Sequence, residues 1–370
     1  MSRVSPPAPT FTQRITDASR RLGKRDFLEF GQSETDVQYS LGTKSRFFGP
    51  EDCIVMWNRP LAHSVAAAAG SVLLAAAVVG VHTVPAAAQQ APRVFDVLCT
   101  PTDAGLSELS GLTVTAAGIY AIGDSGSDDR VAELDSNCHV QRWINVGTPR
   151  VDVEDLSSTP DGHLWLADIG DNNAVRTSIG LIELDPTSGA ATSYPLVYPD
   201  GAHDAETLLI QSNGLPVIVT KDYLGASVVY TTAERQQVQD LRTASPTMLA
   251  KVGQLRFSPT LTSGGPVPHA GTMAVTGGAV SKDGTVVALR TYTDVYLYTA
   301  PDGDIAKALT TKPIRVPLPD EPQGEAIAFD AAGDLISGSE AYQGPLPPLR
   351  ILRGASDIAL SGGTTSSLGS

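Results

Sequence analysis

The chain has 370 residues and a formal net charge of -14, with 42% hydrophobic and 18% charged residues. This length can bury the core of one large domain or two small ones. The negative charge argues against a nucleic-acid partner, because it would repel backbone phosphates, and it suits the binding of cations. The 35 glycines and 26 prolines are scattered along the chain, which is typical of many short strands joined by tight turns.

Residues 1–55 offer too little apolar surface to fold alone, so we expect a disordered leader. A new pattern begins at Met56. Residues 56–88 contain Arg59, an uncharged run of 21 residues at 64–84, and an Ala-x-Ala exit at Ala86 and Ala88. This pattern indicates a secretory signal peptide, with residues 1–55 added by an upstream start assignment. The alternative is a single transmembrane helix, because the run is long enough to span a bilayer. Both interpretations place the remainder outside the cytoplasm, secreted or in the cell envelope.

The three cysteines divide between the leader and the exported part. Cys53 lies in the leader, whereas Cys99 and Cys138 follow it. Two cysteines in an oxidising compartment favour one disulfide, which would anchor the start of the domain. The alternative is a pair of buried free thiols. Without residues 1–88 the chain holds 17 basic and 33 acidic residues, so the exported domain is strongly acidic.

A polar residue followed eight positions later by a glycine recurs five times within residues 93–355. Successive copies start 44, 52, 70 and 49 residues apart. Each copy predicts a strand, a glycine turn and a returning strand, with one or two further strands after them. Four-stranded units at this spacing are the mark of a β-propeller. We therefore predict an all-β propeller of five blades, or of six if the long third interval hides another.

The ends of the repeat region also carry information. The segment 93–98 is strand-like and precedes the first copy, whereas the last copy lacks an outer strand. We expect this N-terminal strand to complete the last blade and close the ring, which removes an exposed sheet edge. The long interval contains extra residues at 233–245, where a short helix is expected. Residues 356–370 are rich in Ser, Gly and Thr, and we expect a disordered tail.

The polar residue that starts each copy should face the central channel, because the first strand of a propeller blade lines it. Converging carboxylates repel one another, so either their pKa values rise or a cation lies among them. Every candidate ligand atom is an oxygen, which favours Ca²⁺ over Zn²⁺. The alternative is a channel whose polar groups are simply hydrated. The predicted metal ligands are Ser110, Glu154, Glu206, Thr276 and Glu325.

A second set of polar residues stands at the ends of the returning strands, on the same side of the ring. Lys221 and Arg290 could hold a phosphate or a carboxylate, and Asp124 or Asp168 could accept a proton. Glu340 is the fifth residue at these strand ends. The alternative is ordinary ion pairing between blades, among Asp124, Asp168, Lys221 and Arg290. This mouth would bind an unknown protein or a small anionic ligand, and we expect a monomer. A Gly-x-Ser-x-Gly elbow, a phosphate loop and a dinucleotide fingerprint are absent from the sequence.

Four short motifs carry a family resemblance: ELSGL at 108–112, VEDL at 153–156, AETL at 205–208 and GEAIAF at 324–329. They resemble the blade starts of calcium-activated apyrases. The resemblance implies a five-bladed propeller with Ca²⁺ in its channel, hydrolysis of nucleoside di- and triphosphates, and channel ligands in the order Ser, Glu, Glu, Ser, Glu. In this chain those positions are Ser110, Glu154, Glu206, Thr276 and Glu325, with threonine replacing the second serine. The chain is also similar to secreted actinobacterial propellers described as WD40-like or as esterase-like domains of phytases.

Two functions follow from these observations. The first is an exported binding or scaffold propeller of the cell envelope with a structural Ca²⁺ in its channel. The alternative is a Ca²⁺-dependent phosphohydrolase that acts on phosphate esters or anhydrides at the channel mouth, where the ion would polarise a phosphate and orient water. The fold alone does not establish either function.

Overall fold

A computed structural model of the chain describes residues 94–124 and 126–364. The predicted leader 1–55, the signal or membrane segment 56–88 with its run at 64–84, and residues 365–370 lie outside the described residues. In the part that is described, no helix is both long and apolar enough to cross a membrane. The described residues form twenty strands, β1 to β20 in sequence order, and the predicted β-propeller is confirmed.

Each of the first three blades consists of four strands that follow one another along the chain. Within a blade, each strand pairs antiparallel with the next. After β1 (Asp96–Cys99), the first blade contains β2 (Leu109–Val114), β3 (Ile119–Gly123), β4 (Arg130–Leu134) and β5 (Val140–Asn145). The second contains β6 (Asp155–Ser158), β7 (Leu164–Asp168), β8 (Ile179–Leu184) and β9 (Ala191–Val197). The third contains β10 (Ala205–Ile210), β11 (Pro216–Thr220), β12 (Val228–Thr232) and β13 (Thr247–Gln254).

The last two blades complete the ring. The fourth contains β14 (Val275–Val280), β15 (Val286–Thr291), β16 (Asp294–Thr299) and β17 (Ile314–Pro317). The fifth contains β18 (Gln323–Phe329), β19 (Leu335–Glu340) and β20 (Leu349–Leu352), and β1 pairs antiparallel with β20 as its outermost strand. The innermost strands contact one another in a closed cycle, β2 to β6, β10, β14, β18 and back to β2. Within the described residues the ring therefore consists of five four-stranded units.

A disulfide and a strand pair reinforce the outer side of the ring. Cys99 at the end of β1 is bonded to Cys138, 39 residues later in the β4–β5 turn, so the predicted disulfide joins the fifth blade to the first. The outer strands of the second and third blades pair in parallel over two residues, Thr247 with Leu196 and Met248 with Val197.

The hydrophobic core lies between the blades and is divided into five layers. Each layer combines residues from two consecutive blades: Trp165 with Tyr230, for example, between the second and third, and Leu112 with Ile351 between the first and fifth. The other three layers occupy the remaining junctions. The inner strands are almost wholly buried because both of their faces contact a neighbouring blade.

In four of the five blades the eight-residue spacing has a local cause in the turn after the innermost strand. Gly162, Gly214, Gly284 and Gly333 all adopt positive φ, from 74° to 92°. The amide of each donates to the carbonyl three residues earlier, as from Gly162 to Thr159 at 2.9 Å. A residue with a side chain is strained in this left-handed region. The glycine therefore fixes where the strand ends and where its partner begins.

Two segments differ from the sequence-based expectations. The interval 233–245 contains only a one-turn 3-10 helix, Val238–Asp240, and β13 begins just after the interval, at Thr247. The tail was expected to be disordered from residue 356, but a helix covers Ala355–Thr364 and contacts β16. Its small apolar residues Ala355 and Ala359 are buried, so composition alone missed a helix that is stabilised by packing. We label it α2, after the short helix α1 (Ile305–Ala308).

Candidate cation site at the channel mouth

The five predicted channel residues occupy one structural position, a β-bulge near the start of each innermost strand. The pairing register shifts across Ser110, Glu206, Thr276 and Glu325. Glu154 behaves alike, because its amide donates to the carbonyl of Ala167, the residue that already opposes Asp155. A bulge leaves one residue out of the ladder and redirects its side chain. The same β-bulge therefore positions one polar side chain in each of the five blades.

All five residues are buried, with exposures of 0–3%. The two hydroxyl residues link neighbouring blades: Ser110 Oγ donates to the carbonyl of Glu154 at 2.7 Å, and Thr276 Oγ1 donates to the carbonyl of Gly324 at 2.9 Å. A hydroxyl that donates its single hydrogen keeps its acceptor lone pairs. Ser110 and Thr276 can therefore each link two neighbouring blades and still offer an oxygen to a cation.

Two of the three glutamates each have one carboxylate oxygen without a hydrogen-bond partner. Oε2 of Glu206 and Oε2 of Glu325 are buried and have no hydrogen-bond donor among the described residues. Buried polar atoms are nearly always paired, and an unpaired one calls for an explanation. A bound cation would supply the missing partner, because it interacts with carboxylate oxygens without needing a hydrogen.

Electrostatic coupling shows that these carboxylates face one another. Burial raises the pKa of Glu154 well above its usual value, and the charges of Glu206, Asp152 and Glu325 raise it further. Burial also raises the pKa of Glu206, with Lys221 opposing that effect and Glu325 adding to it. The raised pKa values of Glu154 and Glu206 mean that a positive charge placed between these carboxylates, such as a divalent ion, would be stabilising.

One ammonium group already lies among the carboxylates. Lys221 Nζ forms an ion pair with Oε1 of Glu206, and the two side chains are only 6% and 2% exposed. The rings of Tyr223 and Tyr292 lie 5.6 and 5.3 Å from Nζ, within cation–π range. Burial lowers the pKa of Lys221, but the electrostatic interactions with Glu206, Tyr292, Tyr223 and Glu325 together outweigh burial, and the pKa ends well above its usual value. Lys221 is thus a fixed positive charge inside the site.

A second acidic group lies between the first and fifth blades. Glu108, Asp124 and Glu340 each offer a carboxylate oxygen, and these oxygens lie within 4.8 Å of one another, so they could hold a metal ion. The amide of Gln323 connects this group to the channel, donating to Oε1 of Glu340 and, at 3.2 Å, to Oε1 of Glu325. Burial, with the charges of Glu325 and Asp124, raises the pKa of Glu340 to about 10.

The remaining predicted mouth residues have other contacts. Asp168 accepts hydrogen bonds from the amides of Val151 and Asp152 at 3.1 and 2.8 Å and pairs with Arg176 at 3.0 Å. Arg290 is fully buried, and its guanidinium donates to Glu321 at 2.7 Å, to Ser337 and to two carbonyls of the fifth blade. The guanidinium of Arg290 therefore links the fourth blade to the fifth, and it is not part of the group of carboxylates around Lys221.

Sequence reasoning passed over four residues of this site: Glu108, Asp152, Gly170 and Gln323. Gly170 matters because a Cβ there would collide with Oε1 of Glu154 and with Oδ2 of Asp152. The absence of a side chain makes room for two carboxylates. Asp152 and Glu108 could have been predicted from the repeat, because each stands two residues before a predicted ligand.

Comparisons with known proteins identify no family for this chain. No family model and no curated protein sequence matches the chain. A glutaminyl cyclase from Myxococcus xanthus is 12% identical, with a TM-score of 0.42, over 70% of this chain and 98% of the other. A PQQ-bound aldose sugar dehydrogenase from Streptomyces coelicolor is 10% identical (TM-score 0.40; 70% and 96%), and a streptogramin B lyase is 16% identical (0.37; 66% and 80%). None of these values identifies a shared ligand or reaction.

Proposed function

We propose that this protein is an exported binding or scaffold propeller that holds a Ca²⁺ ion in its channel mouth. The observation that carries the proposal is the pair of buried glutamate oxygens without a hydrogen-bond donor, at Glu206 and Glu325, in the described part of the chain. Glu154 lies within electrostatic range of both glutamates, since their charges raise its pKa. Ser110 and Thr276 would add hydroxyl oxygens at the same level of the ring.

The donor set selects the metal class. Carboxylate and hydroxyl oxygens are hard ligands, and a site built from them without nitrogen or sulfur prefers Ca²⁺ or Mg²⁺ to a transition metal. Ca²⁺ accepts six to eight ligands in flexible geometry, which suits side chains contributed by five separate blades. Because each blade would supply one ligand, the bound ion would tie the five inner strands together and stabilise the closed ring.

Thermal melting tests the cation directly. The full-length exported form should melt at a higher temperature in Ca²⁺ than in chelator, and Glu325→Gln should shrink this difference. Glu234→Gln is the matched control, because it makes the same charge change at an exposed position. An identical melting temperature with Ca²⁺ and with chelator for the unaltered protein would count against a bound structural ion.

The phosphohydrolase alternative rests on the resemblance to apyrases and on the acidic mouth. Against it stands the state of the two basic residues: Lys221 is paired with Glu206, and the Arg290 guanidinium is engaged between blades. A phosphate would therefore depend on the bound cation for its positive charge, with Asp124 or Asp168 as candidate proton acceptors. We expect no Ca²⁺-dependent phosphate release from ATP or ADP. Release that requires Ca²⁺ and is lost in Glu154→Gln would establish the enzyme instead.

Export is the third part of the proposal. It is supported by the disulfide between Cys99 and Cys138, since such bonds persist in oxidising compartments, and by the leader pattern at 56–88. N-terminal sequencing of protein recovered from the envelope and from the medium tests it. A new N-terminus just after Ala88 supports cleavage, whereas an intact segment 64–84 in the membrane fraction supports anchoring.

A further inference from the structure

One side of the ring gathers the loops that surround the cation site. The innermost strands begin on this side and the second strand of each blade ends there, as the pairing of Ala205 with Thr220 and of Gln323 with Glu340 shows. The fourth strand runs in the same direction as the second. The loops after the second strands and the connections between blades therefore lie together on this side, which we call the mouth face.

Large apolar side chains are exposed in the loops of the mouth face. Leu224 and Leu261 are 86% and 98% exposed. Among the described residues, the loops at the opposite ends of the strands carry no exposed large apolar side chain. Exposed apolar residues that gather on one side mark an interaction surface, whereas single scattered ones are ordinary. The other exposed residues of these loops are Val151, Val175, Tyr223, Val267 and Tyr342.

Part of this apolar surface adjoins the cation site. The ring of Tyr223 stacks on that of Tyr292 with their centroids 6.5 Å apart, and it lies 5.6 Å from the ammonium of Lys221. The connection between the third and fourth blades, which carries Val267, passes over the same ring, because a Cβ at Gly265 would lie 2.8 Å from the Cβ of Tyr292. The exposed side chains of the third blade and of this connection are therefore continuous with the mouth of the channel.

Two of the exposed side chains are presented by backbone in the left-handed region. Tyr342 has a φ of 40°, and Ala174, directly before Val175, has a φ of 50°. Residues with a side chain are disfavoured there, and such conformations persist where the surrounding structure holds them, often at functional sites. The loop of Tyr342 is held by the amide of Ala341, which donates to the carbonyl of Ser107 at 2.8 Å.

The mouth face is also acidic. Its loops contain thirteen acidic and four basic residues. Glu108 and Asp124, which are partly exposed, add to the charge of the channel carboxylates. Three of the basic residues are already neutralised by an ion pair, and Arg256 is the fourth. The pairs join Arg150 to Asp128 at 3.4 Å, Arg176 to Asp168 at 3.0 Å, and Lys221 to Glu206.

These two properties restrict what can cover the mouth face. A second copy of the chain would bring the same acidic loops against one another, and an anionic membrane surface would be repelled for the same reason. A basic surface with apolar side chains complements both properties. Lys221 shows that an ammonium is accommodated here, between a carboxylate and two tyrosine rings.

We propose that the mouth face binds a segment of a partner protein in which lysine or arginine side chains stand beside apolar ones. Its basic side chains meet the acidic loops, and its apolar side chains pack on Leu224, Leu261 and Tyr342. The inference rests on the binding function proposed above, and it adds the chemistry of the partner. Aromatic and aliphatic anchors within a charged surround are typical of protein interfaces.

Selection from a random short-peptide library on the exported form tests this chemistry without a known partner. The enriched peptides should contain lysine or arginine next to apolar residues. Their Kd, measured by fluorescence anisotropy on synthetic peptides, should rise when salt is added, because screening weakens the attraction between charges. The double variant Leu224→Ser with Leu261→Ser should weaken binding roughly 10-fold.

Met248→Ser is the matched control, because Met248 is 50% exposed on the outer strand β13, and it should leave the Kd unchanged. Replacing side chains as exposed as Leu224 and Leu261 has little effect on folding, which thermal melting of each variant verifies. Binding and melting are both measured in chelator and in Ca²⁺. A missing structural ion would then appear as melting that ignores Ca²⁺, whereas a missing docking surface would appear as absent peptide binding.

Three results would overturn the proposal. The first is a selection that enriches no peptide, or only peptides without basic residues. The second is equal affinity of the selected peptides for the Leu224/Leu261 double variant and for the unaltered protein. The third is binding of the exported form to phosphatidylglycerol vesicles that the same double variant abolishes, which would assign this surface to a membrane.

Discussion

Replacing Lys221 by methionine should destabilise the protein strongly in chelator and much less in Ca²⁺. Methionine preserves most of the side-chain volume but removes the ammonium that pairs with Glu206, and both side chains are almost fully buried. Breaking a buried ion pair by removing one partner costs about 3–5 kcal/mol, because the other charge is left uncompensated. For a domain of this size that loss corresponds to a decrease in Tm of roughly 10 °C.

Calcium should recover much of this loss, because a divalent ion beside Glu206, Glu325 and Glu154 replaces the missing positive charge. Differential scanning calorimetry on the wild type and on Lys221→Met, each in chelator and in Ca²⁺, measures the effect. The double variant Lys221→Met with Glu206→Gln is the control, since it removes both charges and should melt above the single variant in chelator. Equal melting of Lys221→Met and wild type in chelator would refute the reasoning, and so would a double variant no more stable than the single one.

Three further predictions concern other parts of the fold. The pKa of Glu340 is raised to about 10, so between about pH 5 and pH 10 the folded state keeps a proton that the unfolded state has lost. In chelator, the free energy of unfolding should therefore fall as the pH rises through this range. The free energy of unfolding of Glu340→Gln should depend less on pH. The double substitution Cys99→Ser with Cys138→Ser should lower the free energy of unfolding by up to about 4 kcal/mol in urea titrations, given the 39-residue separation, and an unchanged midpoint would contradict this. Arg290→Met should cost about 3–5 kcal/mol while leaving the Ca²⁺ dependence of Tm unaltered, and a selective loss of that dependence would place Arg290 in the cation site.

The fold could be predicted from the sequence because the repeats encode similar hairpins, and four of the five share the same glycine turn. A glycine with positive φ ends the hairpin, as at Gly162 and Gly333, and the eight-residue distance to the polar start keeps every copy in register. The N-terminal strand β1 was expected in the last blade because that blade was one strand short, and it pairs with β20. The helix α2 was not expected, because its stability comes from packing against β16 and not from its Ser- and Gly-rich composition.

The site was harder to predict than the fold. Position in the repeat aligned Glu154 with Glu206 and Glu325, since a shared place in the blade is a property of sequence spacing. It could not reveal that Arg290 bonds across two blades or that Lys221 lies within the carboxylates. The Arg290 contacts depend on side-chain reach between the fourth and fifth blades. Lys221 and Glu206 belong to one hairpin of the third blade, but the pairing register alone does not show that their side chains meet. Repeat analysis therefore finds which residues share a level of the channel, but not how each charge is compensated.

A buried carboxyl follows the predicted ligand Glu154 in the chain. The carboxylate of Asp155 accepts hydrogen bonds from the amides of Leu156 and Leu208, both at 2.8 Å. Burial raises its pKa to about 8, so near neutral pH it is largely uncharged and adds little to the repulsion among the glutamates. Because these two amides belong to the second and third blades, Asp155 joins the two blades through the backbone and not through a pair of charges.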